Sequence, residues 1–253
     1  MTADEYVLAV IRKYKVATGP GSRSDQVGQA LAPLTKEWAG QCFSGVSYSG
    51  SYAKDTAITL ASDLDLFISL VSNCNGTLRE LYESLYSFLS KKGLNPRRQN
   101  VSIRIVYGGA KVDLVPGRRQ DNYSSDHSLY RRKADTWTKT NVGKHVSVVA
   151  GSGRLNEVRV GKIWRELHRL EFPSLYLELM VIRALHGRAT GQPAKNFWAA
   201  LEYFHDHMTS TRIEDPANSN NILSDDLTDA EKRAVAATAT GSLSKQRWED
   251  IIW

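Results

Sequence analysis

Two aspartates inside an apolar run constrain the fold of this chain more than any other feature. Asp63 and Asp65 alternate with Leu64, Leu66 and Ile68, which is the period of a β-strand. Because successive side chains of a strand point to opposite faces, the two carboxylates share one face while the apolar side chains enter the core. Two acids on one face repel unless a positive charge lies between them, and a divalent cation is the simplest candidate.

A second strand is predicted to bring a third carboxylate to the same sheet. Residues 101–107 alternate between apolar and polar side chains, Gly108 and Gly109 follow, and residues 111–115 begin another alternating run. Two alternating runs joined by Gly-Gly predict a β-hairpin. Asp113 stands on the polar face of this hairpin, so we expect it to lie beside the first two acids.

Three acids on one strand face indicate a site for metal ions, because like charges a few ångströms apart otherwise repel. Two Mg²⁺ or Mn²⁺ ions about 4 Å apart would activate an attacking hydroxyl and stabilise a leaving pyrophosphate. In this interpretation Asp63 and Asp65 ligate both ions. Asp113 either completes the coordination of the ion that binds the acceptor hydroxyl or acts as the base for that hydroxyl. An Asp113 that points away, or an arginine that already neutralises the three acids, would contradict it.

A turn of small residues precedes the acids. Gly50 and Ser51 end a predicted strand upstream of Asp63, where the Ser51 hydroxyl and the backbone N–H groups of the turn would bind phosphates. A Gly-Ser pair by itself is more often an ordinary turn. The prediction therefore depends on the position of this pair before the acids.

The rest of the pattern predicts an α/β (α+β) fold with an α/β N-terminal part and a helical C-terminal part. Helices are predicted over 3–18, 25–39, 77–92, 154–171, 173–188, 194–208 and 229–240, and a further strand over 42–48. The segment 116–153 is polar and irregular, and 215–221 reads as a loop. We expect a catalytic lobe at 1–150, a helical lobe at 151–253 and a ligand cleft between them.

Composition narrows the class of protein. The 253 residues are 42% hydrophobic and 24% charged, with no run of about 18 apolar residues that would span a membrane. The N-terminus lacks the pattern of a signal peptide, and the two cysteines have no zinc-ligand spacing, which fits a reducing cytoplasm. The formal charge of +6 suits a polyanionic ligand.

The acids and the turn together resemble the signature of the polymerase β-like nucleotidyltransferase superfamily. The run from Gly50-Ser51 to Thr56, followed by Ser62-Asp63-Leu64-Asp65, is similar to that signature, although Asp55 stands where the family usually has glycine. Residues 112–116 resemble its third-carboxylate strand. The resemblance is to the branch of the 2′-5′-oligoadenylate synthetases, the CD-NTases (cGAS/DncV-like) and the archaeal CCA-adding enzymes. It implies a bilobal protein with a mixed sheet.

The resemblance also implies two further contacts with nucleotide. Lys162-Ile163-Trp164 and the segment from Ser174 to Glu178 resemble the pair of helices that grips the triphosphate. Lys162 and Ser174 would then contact the triphosphate of a bound NTP, since a lysine suits a phosphate as a compact point charge. The sequence alone is equally consistent with Lys162 as a solvated helix residue, and with Glu178 as a structural one.

The function implied by the resemblance is template-independent joining of NTPs, with ATP a favoured substrate. We expect a cyclic or short linear oligonucleotide that serves as a signal in bacterial anti-phage defence. One alternative is a terminal transferase that extends RNA, such as tRNA, or builds linear RNA or DNA oligomers. The basic cluster between Arg118 and Lys133 is consistent with a nucleic acid as acceptor or activator. A second alternative is a non-catalytic nucleotide-binding subunit, against which the intact acids argue.

Overall fold

A computed structural model describes residues 1–61 and 63–253, so that Ser62 of the signature-like run lies outside the described residues. The chain divides into two compact units. Residues 17–55 and 63–146 form an α/β unit, and residues 1–16, a short segment that begins at Thr56 and residues 147–253 form a helical unit. Each unit is described by itself below.

The elements follow one another in an order close to the predicted one. In chain order they are α1 (Ala3–Tyr14), α2 (Arg23–Ala39), β1 (Phe43–Tyr48), α3 (Gly50–Ala53), β2 (Leu64–Leu70), α4 (Leu78–Lys91), β3 (Arg97–Arg98), β4 (Ile103–Tyr107), β5 (Ala110–Arg119), β6 (His127–Arg131), β7 (Thr136–Thr140), α5 (Val142–Ala150), α6 (Leu155–Leu167), α7 (Ser174–Ala184), α8 (Pro193–His207), β8 (Glu214–Asp215), β9 (Asn218–Ile222) and α9 (Asp229–Leu243). Short 3₁₀ helices lie at Gly40–Cys42, Leu223–Asp226 and Trp248–Asp250.

The α/β unit is built on one mixed sheet. Its strand order is β1-β2-β5-β4-β3, with β6 beside β5 and β7 beside β6. Strands β2 and β5 are parallel, and the other pairs are antiparallel. The predicted α/β class and mixed sheet are therefore confirmed.

One face of the sheet forms the core of this unit. Leu64, Leu66 and Ile68 of β2 are buried together with Leu31 of α2 and Leu85 of α4. Helix α4 begins as predicted at Thr77, whose side chain accepts from the backbone N–H of Glu80, while the Glu80 carboxylate accepts from the Thr77 N–H. This capping box fixes the start of a helix whose apolar side must meet the sheet. Because the apolar face is covered, Asp63 and Asp65 are left on the other face.

The predicted hairpin is confirmed as β4 and β5. Gly108 and Gly109 form its two-residue turn with φ of 55° and 72°, and Tyr107 pairs with Ala110. Two positive φ values in succession match the turn type that follows the right-handed twist of a hairpin, and glycine adopts them without steric cost. The turn therefore fixes which residues of β4 and β5 lie opposite one another.

Two segments predicted to be irregular contain strands. Between 116 and 153, β5 continues to Arg119, β6 and β7 form an antiparallel hairpin and α5 follows; the prediction of an irregular segment is wrong. His127 and Leu129 of β6 are buried. Because His127 is polar, the apolar–polar alternation that indicates a strand is not visible in the sequence of β6. The loop predicted at 215–221 likewise contains the β8–β9 hairpin.

The helical unit has its own core, and α1 belongs to it. Val7, Val10 and Ile11 of α1 are buried in the same apolar cluster as Trp164 and Phe197. The sequence prediction had grouped α1 with the catalytic lobe. None of the helices in the described part of the chain has the length and apolar composition that a membrane span requires.

The two cysteines form a disulfide within the α/β unit. Cys42 and Cys74 are bonded with their Cα atoms 5.2 Å apart, which joins the residue before β1 to the turn after β2. Strands β1 and β2 are neighbours in the sheet, and this pairing brings the cysteines together. Disulfides are typical of oxidising compartments, so the cysteines do not support the prediction of a reducing cytoplasm.

We expect the disulfide to stabilise the α/β unit. The bond closes a loop of 32 residues, and the chain-entropy model gives such a crosslink roughly 3–4 kcal/mol of unfolding free energy. The Cys42→Ser/Cys74→Ser variant should lose about this much in denaturant unfolding. Wild-type protein in excess reductant should fall to the same value. An unfolding midpoint that reductant leaves unchanged would show that the crosslink contributes nothing.

Candidate functional site

The structure places the three predicted aspartates on one face of the sheet. Asp65 and Asp113 are direct register partners across the parallel pair of β2 and β5, and Asp63 lies two residues before Asp65 on the same side. Leu64 and Leu114, which alternate with them, are 2% and 1% exposed on the other face. The acids therefore converge because strand alternation and register leave them no other face.

The Gly-Ser turn lies directly against one of these acids. The backbone N–H of Ser49 donates to the carbonyl oxygen of Asp65 at 2.9 Å. Gly50 has a φ of 57°, and a β-carbon built on it would lie 1.8 Å from Oδ2 of Asp65. Glycine is thus needed at position 50 both for its backbone conformation and for the space that Asp65 occupies. Ser51 is the next residue, in the short helix α3.

Tyr52 and Asp55 follow Gly50 and Ser51 in the same part of the chain. Burial, and then the charges of Asp63 and Asp65, raise the pKa of Tyr52 above its usual value. Asp55 has a φ of 52°. Aspartate tolerates this left-handed conformation better than most residues, so the residue type fits the turn.

Arg104 is the residue of this site that the sequence prediction missed. Its Nε donates to Oδ1 of Asp113 at 2.9 Å and its Nη2 to Oδ2 at 2.8 Å. The same Nη2 lies 2.6 Å from Oδ2 of Asp63. The hydrogen bond to Asp113 is the largest cause that raises the pKa of Arg104 above its ordinary value, so the guanidinium stays charged. One arginine therefore bridges two of the three acids with a bidentate geometry.

The bridge bears directly on the predicted metal ions. Within residues 1–61 and 63–253, no group of three or more histidine, cysteine, aspartate or glutamate side chains is placed to hold a metal ion. The carboxylates have the ligand chemistry of a magnesium site, but Arg104 takes the bonds that an ion would need. Arg104 neutralises two of the three acids, whereas the arrangement that would contradict the metal site is an arginine that neutralises all three. The catalytic and metal-binding roles of the acids stay predictions.

A sequence signal for Arg104 was present in the hairpin. Arg104 alternates onto the polar side of its strand, as Asp113 does on the next one. With Gly108-Gly109 as a two-residue turn, residue 107 pairs with 110 and residue 104 with 113. Counting back from the turn would have predicted the ion pair.

Lys162 belongs to the helical unit, where it is buried. Its Nζ donates to Oε1 of Glu178 at 3.0 Å and to the hydroxyl and carbonyl oxygens of Thr56 at 3.1 and 3.3 Å. The side chains of Lys162 and Glu178 are 2% and 0% exposed. Lys162 is thus not the solvated residue that the sequence alone allowed, and its contacts are with protein groups.

Ser174 begins α7 in the same unit and also bonds to the protein. Nη1 of Arg165 donates to its hydroxyl at 3.1 Å and to the carbonyl oxygen of Phe172 at 2.7 Å. Arg165 therefore connects the end of α6 with the start of α7. Contacts of Lys162 and Ser174 with a triphosphate stay predictions from the resemblance.

Comparisons with known proteins identify the fold. No protein-family model and no curated protein sequence matches the chain, but solved structures match it over nearly its whole length. The chain is similar to the CD-NTase CdnG of Bradyrhizobium diazoefficiens in complex with GTP, with a TM-score of 0.73 and 13% identity over 98% of this chain and 95% of that one. It has the polymerase β-like nucleotidyltransferase fold.

Two other structures with this fold match the chain. The CdnE cyclic dinucleotide synthase of Elizabethkingia meningoseptica, with GTP and Apcpp, has a TM-score of 0.68 and 14% identity over 97% of this chain and all (100%) of that one. A cytoplasmic RNA terminal U-transferase has a TM-score of 0.64 and 11% identity over 97% of this chain and 95% of that one. At these identities the likeness establishes the fold.

We expect Gly50→Ala to be more damaging than a glycine substitution nearby. The new β-carbon would collide with the Asp65 carboxylate at a positive φ, which should cost about 2 kcal/mol or more of unfolding free energy. Gly45→Ala is the matched control, because a β-carbon at position 45 of β1 meets nothing within 4 Å. Denaturant unfolding measures both, and equal costs would contradict the close approach of Gly50 to Asp65.

Lys162→Ala should destabilise the helical unit, because it leaves the buried Glu178 carboxylate without its cation. Removal of one member of a buried ion pair typically costs about 3–5 kcal/mol. The control is Lys195→Ala, which removes an exposed lysine from α8. If both variants unfold at the same denaturant concentration as the wild type, Lys162 does not have the structural role described here.

Proposed function

We propose that this chain is a template-independent nucleotidyltransferase that joins nucleoside triphosphates and releases pyrophosphate. The observation that carries the proposal is the convergence of Asp63, Asp65 and Asp113 on one strand face, against the turn at Gly50. The fold is shared with CdnG in complex with GTP and with CdnE in complex with GTP and Apcpp. Arg104 is the cationic partner of Asp63 and Asp113 in this structure, and the metal ions that accompany a nucleotide would take its place.

The proposed roles follow from the chemistry of each group. Asp63, Asp65 and Asp113 would hold Mg²⁺ or Mn²⁺, which supplies positive charge to the triphosphate and the acceptor hydroxyl. Alternatively, Asp113 would act as the base that accepts the proton of that hydroxyl. The Ser51 hydroxyl and the backbone N–H groups of its turn would bind phosphate oxygens. Lys162 and Ser174 would contact the triphosphate, as the resemblance implies, and would then exchange part of their bonds to protein groups for it.

The product that we propose is a cyclic or short linear oligonucleotide with a role as a signal in antiviral defence. The similarity to a cyclic dinucleotide synthase supports the class of product. A second candidate is the extension of an RNA end, which is favoured by the similarity to a terminal U-transferase. The exposed cations of the β6–β7 hairpin, Arg132 and Lys133, would suit an RNA backbone.

One incubation separates these candidates. Purified protein is given Mg²⁺ or Mn²⁺ with each labelled NTP, singly and in mixtures, with and without tRNA. The products are resolved by chromatography and identified by mass spectrometry. Small phosphatase-resistant products support the cyclic signal, and label that appears only on tRNA supports the terminal transferase. No pyrophosphate release under any of these conditions would overturn both and favour a nucleotide-binding subunit.

Substitution of the acids tests which residues carry the chemistry. Asp63→Asn and Asp113→Asn should each lower turnover by several orders of magnitude, because an amide neither neutralises a cation nor accepts a proton comparably. Circular dichroism should show the fold retained. Asp225→Asn, at an exposed aspartate of a 3₁₀ helix, is the control and should keep wild-type turnover. Near-normal turnover in either site variant would remove that aspartate from the mechanism.

A further inference from the structure

The polar face of the sheet carries a row of charges that changes sign. Asp65 of β2 pairs with Asp113 of β5, Asp113 with Arg104 of β4, and Arg104 with Arg97 of β3. Two acids are thus followed by two arginines across four neighbouring strands. Arg104 lies where the sign changes, and its Nε and Nη2 both donate to the carboxylate of Asp113.

The basic end of this row borders a cavity. A cavity of about 480 Å³ is lined by Arg97, Arg104 and Lys111, together with Leu94, Asn95 and Ile105 among others. Its lining contains no carboxylate. In the described part of the chain Arg97 and Lys111 make no ion pair. Arg97 and Arg104 lie directly opposite each other, where like charges repel. The cavity therefore offers three cations and an amide to an anion, at a size typical of small-ligand sites.

Arg98 shows that the arrangement is specific to one face of β3. Its Nε and Nη2 donate to Glu83 at 3.0 and 2.7 Å, so the neighbour of Arg97 is neutralised within the protein. Arg98 does not line the cavity. Of the three cations that line the cavity, Arg97 and Lys111 thus have no ion-pair partner among the described residues, whereas Arg104 is paired with the acids.

We propose that this cavity binds a phosphate group, and that this anion and a divalent cation at the acids promote each other's binding because each favours movement of Arg104 from the acids to the cavity. Without either ligand, Arg104 satisfies Asp63 and Asp113. A cation at the acids would repel the guanidinium toward the cavity, and a phosphate in the cavity would attract it there. The Arg104 side chain is 30% exposed, so it has open space to move. The proposal uses the carboxylates of the proposed function, but it requires no turnover.

Thermodynamic linkage makes the proposal quantitative. If the anion raises the affinity for the cation by some factor, the cation raises the affinity for the anion by the same factor. Couplings between sites typically amount to about 5–150-fold. We expect a value of about tenfold, because one side chain carries the whole effect.

Binding of Mn²⁺ tests the coupling without any catalysis. Free Mn²⁺ is followed by electron paramagnetic resonance during titration of the protein in sodium sulfate, and in sodium chloride of equal ionic strength. Sulfate represents the phosphate group and binds Mn²⁺ weakly itself. We expect about tenfold tighter Mn²⁺ binding in sulfate, and calorimetry should find sulfate binding strengthened by the same factor in Mn²⁺. Equal Mn²⁺ affinity in the two salts would overturn the proposal.

Variants assign the coupling to the named residues. Arg104→Gln should bind Mn²⁺ more tightly than the wild type in chloride and should show no further gain in sulfate. Arg97→Gln, at an exposed position, should keep the Mn²⁺ affinity in chloride and lose most of the gain in sulfate. Arg98→Gln is the matched control and should behave as the wild type. If Arg104→Gln does not fold, Arg97→Gln decides alone: a full sulfate effect in it would contradict the cavity as the anion site.

The source of the phosphate is distinguished by two ligands. Uridine monophosphate and a trinucleotide replace sulfate in the same Mn²⁺ titration of wild type and Arg97→Gln. An Arg97-dependent gain with the mononucleotide assigns the cavity to a small ligand. A gain with the trinucleotide alone assigns it to the phosphodiester of a strand. If neither ligand reproduces the sulfate effect, the cavity is not a site for a nucleotide phosphate. Turnover does not enter these measurements, so a failure of the proposed enzyme activity is seen separately.

Discussion

The ion pair of Arg104 with Asp63 and Asp113 controls the polar face of the α/β unit. Parallel pairing of β2 with β5 places Asp65 directly beside Asp113, and such a pair of acids is unfavourable without a counter-charge. The neighbouring strand supplies that charge in a bidentate geometry. The Gly108-Gly109 turn fixes the register of β4 and β5. The leucines of β2 and β5 are buried in the core on the opposite face of the sheet.

The same guanidinium connects the stability of the unit with its proposed chemistry. While it bridges the acids, it takes the place of a metal ion. The pair with Asp63 is partly exposed, with side-chain exposures of 30% for Arg104 and 33% for Asp63, and such pairs typically contribute about 1 kcal/mol or less. The bidentate pair with Asp113, whose side chain is 13% exposed, is the stronger of the two. A divalent cation carries twice the charge and gathers several carboxylates at once. The arginine can therefore stabilise the protein without its ligands and still be displaced by them.

Much of the fold follows from local rules that can be read in the sequence. Alternation around Asp63 and Asp113 predicts two strands with the acids on one face, and Gly-Gly predicts their hairpin turn. The helices predicted at 77–92 and 229–240 are present, and Thr77 and Thr228 each begin one with a capping box. These features depend on neighbours within a few residues, which explains why they could be predicted.

The features that sequence reasoning missed depend on tertiary contacts. The disulfide of Cys42 and Cys74 exists because β1 and β2 pair, and cysteine spacing does not reveal this. Lys162 is buried because Glu178 lies beside it on the next helix, whereas a lone lysine in a helix predicts an exposed residue. Arg104 could have been predicted: alternation puts it on the polar face, and counting back from the Gly-Gly turn makes Asp113 its cross-strand partner.

Diffraction from crystals soaked with Mn²⁺ and a non-hydrolysable NTP tests the central claim most directly. The account predicts an anomalous peak from Mn²⁺ within bonding distance of carboxylate oxygens of Asp65 and Asp113. It also predicts that the Arg104 guanidinium has turned away from Asp113 toward the cavity at Arg97. The nucleotide phosphates should lie at the turn of Gly50 and Ser51. If nucleotide is bound while Arg104 still bridges Asp63 and Asp113 and no anomalous peak lies among the acids, the account is contradicted.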